Sequence, residues 1–373
     1  MTAGVYLHIP FCKSRCSYCD FATDVWRSGE AVERYVKAIS SEIRNSKFEP
    51  RHSVDSIYFG GGTPSLLNVE QVGWILETVR KSFDIAANCE VTMEMNPATV
   101  SRDALAGYRE LGVNRASFGV QTFNENDLKL LARGHNAEDA RTTFKLLREA
   151  GFENISFDLI AGLPGQTLAD WRHNLEEAVS MSPEHLSLYL LEIHEGTPLA
   201  EQLRTNRRPL PDPELAAEMY EVMVDTVAAA GYEQYEISNF AKPGYESRHN
   251  TKYWRLEPVY GFGVSAHSFD GTQRYANERD TAKYVALIEN GSSSEVMREA
   301  IDAASEAIFL GLRLNQGIRF ADHQTRYGES IPEKYQKELD QLVEAGLIEV
   351  NESTFRLTRK GMLYSNEVFQ YFV

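Results

Sequence analysis

Short β-rich runs alternate with longer amphipathic stretches through the first 230 residues. The strand-like runs fall at 5–9, 56–59, 90–94, 115–120, 155–160 and 186–191. Between and after them, apolar residues recur at helical spacing over 31–47, 69–83, 102–111, 137–150, 168–180 and 214–230. This alternation predicts an α/β fold made of βα units around a parallel sheet. Six units fit a partial (β/α)6 barrel, and an open doubly wound sheet fits the same pattern. In either case the site is expected at the C-terminal ends of the strands.

Beyond residue 230 the pattern changes. The segment 203–213 is polar and carries Pro209, Pro211 and Pro213, which reads as a connection. Residues 231–300 are a mixed region rich in Gly, Tyr and Asn. In 301–373, helical stretches that include 333–345 end at Gly346, and 347–350 and 355–358 flank a polar Asn351-Glu352-Ser353 turn. That order predicts a winged-helix-like module. The expected units are therefore a 1–230 core, a 231–300 mixed region and a 301–373 module.

Charge narrows the choice of partners. The 373 residues carry 38 Lys+Arg against 54 Asp+Glu, a net of −16. Such a surface repels polyanions and argues against nucleic acid. The last module holds eight basic and eleven acidic residues, a net of −3, so protein docking or a structural role is expected there rather than DNA. No apolar run reaches the roughly 18 residues a bilayer needs, and residues 1–6 have no basic or long apolar leader. A cytoplasmic protein is the expectation.

Four cysteines in 373 residues are too few for a disulfide scaffold. Three of them, Cys12, Cys16 and Cys19, lie within eight residues, directly after the first strand. A thiol loop of this kind binds a metal or performs redox work. Structural zinc takes four ligands, usually from two paired knuckles, and no second pair follows. Three thiolates on an iron–sulfur cube leave one iron open for a small molecule. Cys89, in an apolar stretch, reads as a buried small hydrophobe.

Cys-x3-Cys-x2-Cys with Tyr18 before its last cysteine resembles the signature of the radical S-adenosylmethionine (SAM) superfamily. That resemblance implies a 4Fe-4S cluster on Cys12, Cys16 and Cys19. It also implies SAM on the unique iron, cleaved to a 5′-deoxyadenosyl radical on one-electron reduction, and a donor such as flavodoxin or ferredoxin. It favours the (β/α)6 barrel. The run Tyr6-Leu7-His8-Ile9-Pro10-Phe11-Cys12, the Gly60-Gly61-Gly62-Thr63-Pro64 turn, Gln121, Arg133 and Asp158 resemble the oxygen-independent coproporphyrinogen III oxidase family over roughly residues 3–373. The implied SAM contacts are Tyr6, Gly61, Gly62, Thr63, Glu94, Gln121, Arg133 and Asp158. On physical grounds a glycine turn admits close backbone approach to a ligand. A carboxylate inside an apolar strand, as at Asp158, needs partners.

Two departures separate this chain from the oxidases. Phe21 stands where they carry a further cysteine, and the chain begins almost at its first strand. Both are similar to the HemW-type branch of the family, implicated as haem chaperones. His249-Asn250-Thr251-Lys252-Tyr253-Trp254 resembles that branch's HNxxYW signature. An imidazole can ligate haem iron, and flat aromatics suit a porphyrin face. The resemblance implies haem as cargo, His249 as a haem contact, and acceptor haemoproteins, respiratory ones among them, met near the membrane. His8, His194 and His267 stay open as ligands. The alternative reading is the oxidase itself, which decarboxylates two propionates to give protoporphyrinogen IX.

Overall fold

The computed structural model describes residues 2–26, 28–48 and 52–373. The six expected strands are β1 (Ala3–Ile9), β2 (Val54–Gly61), β3 (Ile85–Met95), β4 (Arg115–Gln121), β5 (Ile155–Ala161) and β6 (His185–Leu190). They lie side by side in chain order, each parallel to the next. The helices that follow them are α1 (Gly29–Asn45), α2 (Val69–Ser82), α3 (Arg102–Glu110), α4 (Ala137–Glu149), α5 (Leu168–Met181) and α6 (Pro213–Ala229); α1 packs on α2, α2 on α3, α3 on α4 and α5 on α6, and Arg141 of α4 pairs with Glu177 of α5. A doubly wound sheet reverses its strand order at a switch point, and this one does not. Right-handed crossovers that always step the same way put every helix on one face and curl the sheet around the other. The architecture is thus a partial (β/α)6 barrel.

Local chemistry marks where each helix begins. Asn68 and Gln71 form a reciprocal cap on α2, Asn136 and Asp139 on α4, and Thr167 and Asp170 on α5. Ser28 and Ser101 cap α1 and α3.

Residues 233–300 extend both edges of this sheet. β7 (Glu233–Glu236) and β8 (Asn239–Ala241) add antiparallel strands beyond β6. β9 (Val259–Phe262) runs parallel to β1, and β10 (His267–Phe269), β11 (Gln273–Asn277) and β12 (Glu295–Ala300) continue outward antiparallel. The twelve-stranded order is β12-β11-β10-β9-β1-β2-β3-β4-β5-β6-β8-β7. The short helix α7 (Arg248–Trp254), which carries the HNxxYW segment, packs against β1 and β2. After α8 (Thr281–Glu289) come α9 (Ala303–Gly311), α10 (Phe320–Tyr327) and α11 (Ile331–Glu344). These helices accompany a small sheet of β13 (Ile318–Arg319), β14 (Ile348–Val350) and β15 (Thr354–Leu357), the expected winged-helix-like pattern. No helix among the described residues is long and apolar enough to cross a membrane.

The two faces of the sheet differ sharply. Val5, Leu7, Ile9, Phe59, Met93, Phe118, Phe157, Leu159, Leu186 and Leu188 are fully buried and join the main apolar core. The alternate positions are polar or small: Gly4, Tyr6 and His8 on β1; Ser56, Tyr58 and Gly60 on β2; Glu90, Thr92 and Glu94 on β3; Arg115, Ser117, Gly119 and Gln121 on β4; Ser156 and Asp158 on β5; and His185, Ser187 and Tyr189 on β6. Strand residues alternate sides, so one face supplies the core and the other lines a polar lumen. In both β1 and β5 every residue is buried except one, Tyr6 and Asp158 respectively, and both exceptions face that lumen.

Candidate functional site

The cysteine loop leaves β1 at its C-terminal end and closes over the rim of the lumen. Phe11–Cys12 pairs in parallel with Asp24–Val25, which folds the loop back on itself. Cys12, Cys16 and Cys19 are all partly open. Burial pushes the Cys12 thiol up to about 11, with the Thr63 hydroxyl pulling the other way and the Cys16 and Cys19 charges adding to the rise. Burial likewise raises Cys19. Among the described residues no three His, Cys, Asp or Glu side chains close on a single ion. The loop thus offers three free thiols. That donor set misses the tetrahedral zinc requirement and fits an iron–sulfur cluster with one iron left over.

The glycine turn after β2 presses against the loop. Gly62 N donates to Ile9 O at 2.8 Å and Thr63 N to Phe11 O at 2.8 Å. A Cβ on Gly61 would lie 2.7 Å from the His8 ring, and its φ of +107° belongs to glycine. Thr63 Oγ1 donates to Cys12 Sγ at 3.7 Å. From across the rim, Arg133 Nη1 donates to Cys16 Sγ at 3.4 Å and Nη2 to Gly119 O at 2.6 Å. One side chain joins these two donors. Asn96 Nδ2 donates to Thr63 Oγ1 at 2.8 Å, and Asn96 Oδ1 accepts from Arg133 Nη2 at 2.7 Å.

Below the rim, Glu94 Oε1 accepts from the Tyr58 hydroxyl at 2.7 Å and Oε2 from Gly61 N at 3.1 Å. Burial raises its carboxyl to about 7, although Tyr58 and Gly61 oppose that rise and the Asp158 charge adds to it. Asp158 is raised as well, by burial, with Ser187 foremost among the groups that oppose it. Gln121 sits at φ +67°, beside a register shift between β4 and β5. A non-glycine residue seldom holds that conformation, and such strain collects at ligand sites. Tyr6 donates to or accepts from His8 Nδ1 at 3.1 Å and stacks on Tyr58 at 6.2 Å. The eight expected SAM contacts therefore lie around one lumen, beneath or beside the three thiols. Tyr189, 40% exposed, and Tyr253, 37% exposed, also carry hydroxyls pushed up by burial, as expected for walls of an internal cavity.

His249 lies deeper than a haem ligand requires. It is 1% exposed, stacks on Tyr58 at 5.0 Å and seals the lumen floor. Nδ1 pairs with Ser56 Oγ at 3.0 Å and Nε2 with the Tyr253 hydroxyl at 3.2 Å. Burial lowers its pKa to about 3, so the ring is neutral. Axial ligation from this position would require release of one of those partners. A Cβ on Gly4 would lie 3.0 Å from His249 Nδ1, which explains the glycine facing it. Cys89 is buried as expected.

Sequence reasoning missed Asn96 and Tyr58. An Asn before proline reads as turn chemistry, and a tyrosine in a strand reads as core. The one available signal was their position at or near a strand's C-terminal end.

Comparison with known proteins places these features. Residues 6–178 match the model of the radical SAM superfamily, and residues 299–364 match the HemN C-terminal domain. The chain is 39% identical to the heme chaperone HemW of Bacillus subtilis, with 99% of each chain covered. It is 33% identical to the heme chaperone HemW of Escherichia coli, over 99% of this chain and 98% of that one. It is 34% identical to the bovine mitochondrial radical S-adenosyl methionine domain-containing protein 1, over 96% of this chain and 85% of that one. Among solved structures, coproporphyrinogen III oxidase (HemN) of Escherichia coli superimposes with a TM-score of 0.86 at 25% identity, covering 100% of this chain and 90% of that one.

Proposed function

Because this chain belongs to the HemW-type family of the radical SAM superfamily, we propose that it binds haem and hands it to acceptor haemoproteins, respiratory enzymes among them. The observation that carries this reading is the full-length likeness to heme chaperones named HemW. The superfamily's cofactors are a 4Fe-4S cluster and SAM, and the donor set here suits them. Cys12, Cys16 and Cys19 would hold the cluster. Tyr6, Gly61, Gly62, Thr63, Glu94, Gln121, Arg133 and Asp158 would hold SAM, which when reduced on the cluster supplies radical chemistry.

This chain's own residues support that assignment by what they present. Glu94, once ionised, offers carboxylate oxygens to ribose hydroxyls. The Gly61–Gly62 turn packs tightly on His8 and Pro10, which sets it beside the cysteine loop where a ligand's amino group would lie. The Arg133 guanidinium faces the rim, where a carboxylate would gain a charge-assisted pair. The HNxxYW helix, with His249 and Tyr253, closes the floor, and haem contact through this segment is part of the proposal. Haem transfer takes place by docking on the acceptor, near the membrane where respiratory acceptors sit. Flavodoxin or ferredoxin would reduce the cluster.

The second reading is the oxidase, favoured by the 0.86 superposition on HemN. Anaerobic protein reconstituted with iron and sulfide separates the two. Tight haem binding and transfer to an apo-haemoprotein, with coproporphyrinogen III left intact, is the expected result. Conversion of coproporphyrinogen III to protoporphyrinogen IX without haem binding would overturn it.

A further inference from the structure

Haem asks three things of a site: an imidazole for iron, an apolar surface for the macrocycle and cations for two propionates. Five of the nine histidines are buried: His8, His135, His185, His249 and His323. His8, His185, His249 and His323 have both ring nitrogens engaged. Of the rest, His52 precedes β2 at the far end of the lumen, and His173 lies on α5 beside Glu177. His267 begins β10, on the extended edge of the sheet. His194 stands beside the cysteine loop, and its side chain is 42% exposed.

The surroundings of His194 match the remaining needs. Its Nδ1 lies 3.5 Å from Asp20 Oδ2, and Asp20 directly follows Cys19. A carboxylate on that side favours the Nδ1–H tautomer and leaves the Nε2 lone pair for a metal, the usual outer partner of a ligating histidine. Glu192 lies 3.8 Å from Nε2, close enough to swing away on ligation because it is itself exposed. Phe21 is 62% exposed and Ile193 45% exposed, each the chain neighbour of one member of the Asp20–His194 pair. Two guanidinium groups reach the same spot: Arg279 donates to Asp20 O at 2.9 Å and Arg15 to Phe21 O at 3.5 Å. The segment is fixed, not loose. Thr197 Oγ1 donates to His194 O at 2.7 Å, and Leu199 N donates to Ser17 O at 2.8 Å inside the cysteine loop.

We propose that haem is held at the lumen mouth beside the cluster loop, with His194 Nε2 on the iron, Asp20 orienting the ring, Phe21 and Ile193 against the macrocycle, and Arg15 and Arg279 facing the propionates. This rests on the haem-carrier reading and deepens it. It also gives Phe21, the residue that replaces a cysteine of the oxidases, a use of its own: an apolar platform where a thiol stood. Ligation here needs no rearrangement of the floor.

Ferric haem titration of the cluster-reconstituted full chain tests the site, read by the Soret band and by low-spin electron paramagnetic resonance of the axial ligand. His194→Ala is expected to weaken binding by about tenfold or more and to change the axial signature. His194→Met is expected to retain binding with a thioether signature, which a merely structural histidine would not produce. Asp20→Asn should weaken binding a few-fold. His267→Ala should keep the wild-type axial signature. If His194→Ala keeps that signature while His249→Ala or His267→Ala loses it, the placement is overturned and the haem-carrier reading stands. If the wild-type chain binds no haem, the carrier reading itself falls.

Discussion

At the rim of the lumen, Cys12, Cys16, Cys19 and Arg133 are all partly open to solvent. At the floor, Glu90, Arg115, His185 and His249 are sealed, none more than 7% exposed. Both ends are built from inward positions of the same strands, yet their polar groups do different work. The floor groups bind one another: His185 bridges Ser156 and Tyr235, His249 bridges Ser56 and Tyr253, and Glu90 receives the backbone N–H groups of Arg248 and His249. Arg115 is the exception, with Nε and Nη1 lacking hydrogen-bond partners among the described residues. At the rim the donors point instead at the loop thiols, Thr63 at Cys12 and Arg133 at Cys16. Buried and mutually satisfied polar groups specify a fold, whereas half-open ones wait for a ligand.

Four measurements can break or sharpen this contrast. The largest effect should follow replacement of any one rim thiol. Cys12→Ala, Cys16→Ala or Cys19→Ala should leave almost no bound iron after reconstitution, while the urea midpoint of the apoprotein hardly moves. A large loss of apoprotein stability would show that the rim also carries the fold. The converse variant is His249→Ala, which empties a sealed position and orphans Ser56 and Tyr253. It should cost about 2–4 kcal/mol by urea unfolding, with iron per folded chain unchanged. Iron loss in that variant would erase the distinction between the ends.

Asn96→Ala should be milder. Both thiolate donors lose their shared brace, so chelators should strip the cluster several-fold faster and the cluster's midpoint potential should fall, because hydrogen bonds to sulfur favour the reduced form. A potential unchanged from wild type would reduce Asn96 to a turn residue. The smallest effect concerns pH. Glu94 has a folded pKa of about 7 against an ordinary value of 4.5. The folded chain therefore holds a proton that the unfolded chain has released, and this group's contribution to stability is lost as pH rises from about 4.5 to about 7. Over the same rise Glu94 becomes a better acceptor for ribose hydroxyls. SAM affinity, measured by calorimetry on reconstituted protein, should increase through about pH 7, and Glu94→Gln should flatten that slope.

Much of this was legible in the residues themselves. The six helices and five of the six strands fall within about two residues of where the apolar spacing puts them, because each strand's outward side and each helix's inward stripe are strongly apolar; β3 begins earlier, at Ile85. The cysteine spacing singled out the loop. The strands of residues 233–300 were not placed, since runs of three or four residues such as Asn239–Ala241 and His267–Phe269 carry too little periodicity. The choice between barrel and doubly wound sheet depended on strand neighbours, which no local pattern encodes. His249 illustrates a different limit: its motif is visible, but whether its ring nitrogens are free depends on Ser56, 193 residues away. Asn96 is the same case in reverse, a plain residue made central by partners at Thr63 and Arg133.

The separation of the sheet's two faces bears on descent as well as on chemistry. Most cohesion comes from the apolar side packed under the helices, so a lineage can rewrite the half-open rim positions one at a time without forfeiting the scaffold. A swap such as cysteine for phenylalanine at position 21, on an exposed rim, carries almost no folding penalty. A substitution there changes what the rim presents to a ligand and leaves the barrel beneath it standing.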